Sequence, residues 1–306
     1  MQAELISVAR IWNQAPHNAF TDLIEWKGRA WCAFREGRGH VSTDGRIRVL
    51  ASSDMETWAP AALLELDGFD LRDAGLSVTP DGRLMVIGGA APRAKDGQPA
   101  PTGSFVAFSA DGREFSKPEI VVKPGRWLWR ATWHKDKAYG VSYPADEGRG
   151  VSLLVSADGR KWDTLVKDLL EQGEPNEATP RFDAEGTCYL MMRREKGVGV
   201  LGIAPPPYTR WTWHEQADHP VFGGPNLIQT PLGWLAAGRQ YRPQVRTVLT
   251  AFDPATWKMS TILTLPSGGD TSYPGLLWRN ERLFVSYYSS HQGKASIYLA
   301  QVKLSR

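Results

Sequence analysis

A seven-residue segment returns along this chain at nearly constant spacing, and this recurrence constrains the fold more than any other feature. Ser109-Ala110-Asp111-Gly112-Arg113-Glu114-Phe115 and Ser156-Ala157-Asp158-Gly159-Arg160-Lys161-Trp162 are close copies. Ser52-Ser53-Asp54-Met55-Glu56-Thr57-Trp58 is a third, and Ala251-Phe252-Asp253-Pro254-Ala255-Thr256-Trp257 a worn fourth. Aspartates 54, 111, 158 and 253 are 57, 47 and 95 residues apart, and 95 is about twice 47. A fifth copy is therefore due near residue 206. There Ala204-Pro205-Pro206-Pro207-Tyr208-Thr209-Arg210-Trp211 keeps the aromatic residue without the aspartate. A period of about 50 residues made of strands predicts a propeller.

The segment has a local physical reading. An Asp-Gly turn tightens a hairpin, the Ser and Asp side chains bond nearby backbone amides, and the aromatic ring packs beneath. Each good copy follows an apolar strand: Ile47 to Ala51, Phe105 to Phe108, Val151 to Val155. Dividing 306 residues by six gives 51 per blade. Blade one then holds Phe20 to Trp26, Ala30 to Arg35 and Arg46 to Ser52. Blade two holds Leu76 to Thr79, Leu84 to Gly88 and Ser104 to Phe108, and blade three Arg130 to His134, Ala138 to Tyr143 and Gly150 to Ser156. Blade four holds Ala178 to Phe182, Thr187 to Arg193 and Gly197 to Ile203. Blade five holds Leu227 to Thr230, Trp234 to Gly238 and Val245 to Phe252, and blade six Gly275 to Trp278, Arg282 to Tyr288 and Ala295 to Val302. Leu5 to Ala9 is left over and completes the last blade as its outer strand, removing two open sheet edges. The expected fold is all-β: one six-bladed propeller over residues 1–306, with four-stranded antiparallel blades.

The repeated segment resembles the Asp-box, S-x-D-x-G-x-T-W, of the sialidase superfamily of β-propellers. Asp-boxes are structural elements away from the active face, so they bear on fold and not on catalysis. In a propeller, the residues opening each innermost strand converge on the axis. Here they are Pro16-His17-Asn18, Leu71-Arg72-Asp73, Trp129-Arg130, Asn176-Glu177, Pro225-Asn226 and Asp270-Thr271-Ser272-Tyr273.

The resemblance extends to these openings. Asn176-Glu177-Ala178-Thr179 followed by Tyr189 to Arg193 is similar to the sialidase segment with the active-site glutamate and second clamp arginine. Ala237-Gly238-Arg239 stands where the third arginine would be, and Ser272-Tyr273-Pro274-Gly275-Leu276 resembles the segment of the tyrosine nucleophile. Phe34-Arg35-Glu36-Gly37-Arg38 resembles the strand after the first arginine motif, and Asp44 is near the position of the acid/base aspartate. The resemblance implies Tyr273 as nucleophile, Glu177 as its base, Asp44 as the acid, and Arg193 and Arg239 as a carboxylate clamp. It implies an exo-acting glycoside hydrolase on an acidic sugar, sialic acid or a related keto-deoxy acid sugar. The chemistry is coherent. A neutral tyrosine avoids the repulsion a carboxylate nucleophile would meet, and arginine grips a carboxylate with fork geometry. Each assignment has a structural alternative: a packed aromatic for Tyr273, a pairing with Arg193 for Glu177, an Asp-Gly turn for Asp44.

One departure matters. Sialidases open blade one with Phe/Tyr-Arg-Ile-Pro, and this chain has His17-Asn18-Ala19-Phe20. Arg35, Arg72 with Asp73, and Arg130 are the candidates to serve the centre in place of the missing arginine. His17 is a candidate base in its own right, and His40 and His134 are further histidines to inspect. Two rivals follow: a histidine-based glycosidase or lyase on uronate- or rhamnose-containing glycans, and a non-catalytic carbohydrate-binding propeller.

Composition sets bounds. Lys plus Arg is 36 and Asp plus Glu 33, a net charge of +3 with no basic run, which gives no footing for a nucleic-acid partner. The six histidines lack metal-ligand spacing, so no metal site and no cofactor is expected. Cys32 and Cys188 fall on different blades and read as buried, unpaired thiols. Met1 to Ala19 has no continuous apolar core, so neither an export signal nor a membrane span is read there. The expected location is cytoplasmic, or exported with the signal removed.

Overall fold

The structure is a computed structural model that describes residues 1–93, 101–122, 124–145, 148–220, 222–253 and 255–306. Among the described residues, twenty-four strands form six four-stranded antiparallel sheets. The opening strand β1 (Gln2–Trp12) stands outside the first blade. Blade one is β2 (His17–Trp26), β3 (Arg29–Gly37), β4 (Arg46–Ser52) and β5 (Ala59–Leu64). Blade two is β6 (Phe69–Val78), β7 (Leu84–Pro92), β8 (Gly103–Ser109) and β9 (Glu119–Val121). Blade three is β10 (Arg126–His134), β11 (Lys137–Pro144), β12 (Val151–Ser156) and β13 (Asp163–Leu170). Blade four is β14 (Pro175–Phe182), β15 (Cys188–Arg194), β16 (Val198–Ala204) and β17 (Thr212–Pro220). Blade five is β18 (Gly223–Thr230), β19 (Gly233–Gln240), β20 (Arg246–Phe252) and β21 (Met259–Thr264). Blade six is β22 (Thr271–Arg279), β23 (Arg282–Ser289) and β24 (Ser296–Ser305), with β1 pairing antiparallel along β24 as the outer strand.

The repeated turns join the third strand of a blade to its fourth, and the good copies share one bonding scheme. Asp54 Oδ1 accepts the amides of Glu56 and Thr57 at 2.9 and 2.8 Å. Asp111 accepts those of Arg113 and Glu114, and Asp158 those of Arg160 and Lys161. The serines at 52, 109 and 156 accept the amide three residues on. The worn copy near 206 keeps another part of the scheme. The Trp211 indole donates to the Tyr208 carbonyl at 2.9 Å, as Trp162 does to Gly159 at 3.0 Å. In the fourth copy Asp253 accepts the Ala255 amide, while Pro254 lies outside the described residues. Blade six has no such turn because the two chain termini meet there. Cys32 and Cys188 are free and buried, in β3 and β15.

The inner strands begin earlier than the sequence suggests, for a common reason. β2, β6, β10, β14, β18 and β22 all carry a register shift near their start, at 19/22, 72/75, 128/131, 175/178, 223/226 and 272/275. Each bulge shifts the register and breaks the strand in two, so the sequence suggests little more than its second part. Four bulges place a residue at positive φ: Phe20 at 62°, Asp73 at 52°, Gly224 at 60° and Tyr273 at 50°. Sparsely populated backbone of this kind persists only where its surroundings over-determine it.

At the axis the bulged strands are laced together. The Arg130 guanidinium donates to Asp22 at 2.9 Å and to the carbonyls of Thr21 and Pro274. Asn226 donates to the same Pro274 carbonyl at 2.9 Å, and the Leu76 amide donates to Asp22. Inner strands of five blades are thereby fixed relative to one another.

Candidate active site

The bulges deliver Glu177, Asp73, Phe20, Trp129 and Tyr273 to one end of the axis. The Tyr273 hydroxyl donates a short hydrogen bond to Glu177 Oε1. Glu177 Oε1 also accepts Arg193 Nη1 at 3.0 Å, and its Oε2 accepts the Gly224 amide at 2.7 Å. Gly224 is required here: a Cβ would stand 2.7 Å from the Tyr273 ring, at a φ of +60°. Arg239 lies over the same ring, its guanidinium carbon 5.2 Å from the centroid. It donates to the Thr271 carbonyl at 2.7 Å and to the Tyr288 hydroxyl at 2.7 Å.

Electrostatics follow from burial and these partners. Burial and the Glu177 charge hold the Tyr273 phenol well above its usual range, against the pull of Arg239 and Arg193. Burial would lower Arg193, but Glu177 and then Tyr273 outweigh it and hold the guanidinium above its usual range. Asp73 is pushed up to about 7 by burial and then by Glu177, with Arg72, His40 and Arg35 opposing. It therefore keeps a proton far above the ordinary aspartate range.

A second cluster adjoins the first across Phe20. Phe20 meets Tyr273, His40 and Tyr288 edge-on, at centroid distances of 5.1, 5.2 and 5.3 Å. Asp270 Oδ2 accepts both His17 Nε2 at 2.8 Å and His40 Nδ1 at 2.7 Å, and Oδ1 accepts the Tyr288 hydroxyl at 2.7 Å. Burial alone would raise Asp270, but these three donors hold it far below the usual carboxylate range. The three His and Asp donor atoms lie within 4.8 Å of one another, a set that could hold a metal ion. Hydrogen bonding accounts for it better. A metal on His17 Nε2 would force the proton onto Nδ1, which is buried with no partner. Arg239, 3.7 Å from Asp270, would add repulsion.

The structure thus brings together Tyr273, Glu177, Arg193, Arg239 and Asp73, and it separates the other expected residues. Asp44 pairs with Arg38 at 3.3 Å and lines an open pocket of about 630 Å³ with Glu36, Arg46 and Arg93. Burial raises its pKa, but the bonds from Ser42 and Arg38 and the Arg38 charge together outweigh it and hold the carboxyl below its usual range. It therefore lacks the surroundings expected of a proton donor. Arg35 is wholly buried and bonds Asp70 and the carbonyls of Gly39 and Ser42, leaving nothing for a ligand. Arg130 is the axial strut described above. Arg72 is paired with Asp70. His17 is not a free base, since Asp270 holds its Nε2. His134 stacks on Phe182 at 4.4 Å, away from this cluster.

Phe20 and Tyr288 had no place in the sequence reading of the site. The only available signal for Tyr288 was its place opposite Ser272 on β23, one strand out from Tyr273. Phe20 reads as an ordinary strand residue until the bulge turns it inward.

Comparison with known proteins gives a fold and no closer relationship. No protein-family model matches the chain, and no curated protein sequence does. Among solved structures, a protein of unknown function from Dyadobacter fermentans DSM 18053 superposes with a TM-score of 0.84 at 19% identity, over 99% of this chain and 100% of its own. The Hadza microbial sialidase Hz136 superposes with a TM-score of 0.78 at 17% identity, over 97% of this chain and 68% of its own. A Trypanosoma rangeli sialidase gives 0.72 at 11% identity, over 98% of this chain and 59% of its own. At these identities the likeness establishes a sialidase-like six-bladed propeller.

Proposed function

We propose that this chain is an exo-acting, retaining glycoside hydrolase that works through a tyrosyl–sugar intermediate on an acidic sugar. The observation that carries the reading is the Tyr273–Glu177 hydrogen bond, flanked by Arg193 and Arg239 on a strained bulge. The phenol oxygen attacks the anomeric carbon while Glu177 Oε1 takes its proton, and the adjacent guanidiniums favour the charge that develops on oxygen. Unclaimed N–H groups of the same two arginines are the donors available to a sugar carboxylate. The fold is shared with proteins described as sialidases, including one captured as a covalent intermediate with difluorosialic acid. This supports the reading by analogy of fold.

The test is release of the aryl group from glycosides of sialic acid, another keto-deoxy acid sugar, glucuronic acid and rhamnose. Wild type should cleave a keto-acid glycoside, and Tyr273→Phe should lower kcat/KM by about a thousandfold or more. Mass spectrometry of a stalled reaction should find the sugar on the Tyr273 peptide. Cleavage of none of the panel, or full activity in Tyr273→Phe, would refute the proposal.

A further inference from the structure

The tyrosine–glutamate pair supplies a nucleophile and its base, but the glycosidic oxygen also needs a proton as it leaves. Asp44, in the loop after β3, is paired with Arg38, and among the described residues it has no bond to Tyr273 or Glu177. The same loop carries His40 to the side of Phe20, next to the Tyr273 cluster. Arg35 pins this loop from below, donating to the carbonyls of Gly39 at 2.9 Å and Ser42 at 3.1 Å while fixed to Asp70. The imidazole is then set by three contacts: its Nδ1 lies 2.7 Å from Asp270, and its ring stands edge-on to Phe20 and to His17. Asp270 is itself immobilised by His17, Tyr288 and the Ser290 hydroxyl, which bonds its amide.

These contacts decide the tautomer. Asp270 is ionised and accepts at Oδ2, so His40 carries a proton on Nδ1. Its Nε2 has no bonding partner among the described residues, and the side chain is 47% exposed. Carboxylate, oriented imidazole and an unengaged second nitrogen are the parts of a proton-transfer dyad. Phe20 touches both residues edge-on, its centroid 5.2 Å from the His40 ring and 5.1 Å from the Tyr273 ring, so the imidazole and the phenol share one neighbour.

We propose that His40 gives a proton to the leaving-group oxygen and takes one back from the attacking water, with Asp270 as its positioning residue. The inference rests on the glycosidase reading. In the first step the C–O bond to the leaving group breaks as Tyr273 oxygen bonds the anomeric carbon. The Nε2 proton of the imidazolium passes to the departing oxygen, and the phenol proton passes to Glu177. In the second step water bonds the anomeric carbon, its proton goes to Nε2, and Tyr273 leaves and recovers its proton from Glu177. Atoms and charge balance with no further reactant.

The experiment compares leaving groups on the panel sugar that wild type cleaves. A 4-nitrophenolate departs with little help from an acid, and a methoxide does not. His40→Gln should lose about a hundredfold to ten-thousandfold on the methyl glycoside and under about tenfold on the nitrophenyl one. Asp270→Asn should show the same split at smaller size, and Asp44→Asn should show none. Nitrogen-15 spectra should find neutral His40 protonated at Nδ1 in wild type and no longer fixed in that form in Asp270→Asn. Equal loss on both substrates, the split appearing in Asp44→Asn, a neutral imidazole protonated at Nε2 in place of Nδ1, or zinc bound through His40 would each overturn the proposal. Wild type inert on every glycoside would instead sink the hydrolase reading, and the spectra would still decide how Asp270 holds His40.

Discussion

Glu177 shows how one residue can satisfy two readings at once. Its pairing with Arg193 is structural, yet the same oxygen receives the Tyr273 proton. The sequence puts Glu177 and Tyr273 at strand openings but cannot show that they touch. Asp73 carries a testable consequence. An ordinary aspartate titrates near pH 4, and Asp73 is pushed up to about 7. Between those values the folded protein binds more protons than the unfolded chain. Stability contributed at this site therefore falls as pH rises from about 4 to 7, and the penalty is complete above that. Asp73→Asn removes the penalty. Its melting temperature relative to wild type should climb across this window, by an amount on the order of a few kcal/mol in stability. A difference that stays flat with pH would mean that Asp73 is not held protonated. The residues that sequence reasoning misplaced, Arg35 and Arg130, failed for a common reason. An arginine near the axis serves equally well as strut or ligand clamp, and only its hydrogen-bond partners tell which.

At the level of elements, the third-to-fourth-strand turn and the inner-strand bulge divide the work. The turns lie on the outer part of the blades that carry them, and Gly112 shows one locking its blade to a neighbour. A Cβ on Gly112 would stand 2.0 Å from Trp31 of the blade before, at a φ of +81°. The bulges do the opposite, breaking regularity to aim side chains at the axis. Asp158→Ala tests the division. It leaves the amides of Arg160 and Lys161 to water, and the expected cost is about 1 kcal/mol. For a chain of this size that means a melting temperature lower by roughly 2 °C, with kcat/KM unchanged. A comparable loss of activity would show that the turns reach the site. The turns were legible because their bonding is local, within four residues. The bulges were not, because an extra residue leaves no compositional mark and only shifts the register. The outermost strands escaped for a related reason: half-exposed, as Asp163–Leu170 is, they lack an apolar run.

Across the whole molecule, closure is the controlling feature. β1 pairs with β24 from Gln2 with Ser305 to Trp12 with Ile297, so both ends of the chain lie in one sheet. Removing residues 1–12 would bare the edge of β24 and the apolar side chains it covers. We expect such a truncation to associate in solution and melt well below the full chain, by light scattering and thermal unfolding. A monomer with an unchanged melting point would show the strand to be dispensable. The sequence by itself determined the period, the number of blades, the strand that closes the ring and the openings where charged and aromatic groups gather. These follow from local turn chemistry and from how many units of about 51 residues fit the chain. Only the tertiary structure decided which charged groups face each other. It joined Tyr273 to Glu177 across 96 residues and His40 to Asp270 across 230. It also turned Arg35 and Arg130 into supports. The partners of a polar side chain at the axis come from other blades, and no local pattern in the chain records which blade will supply them.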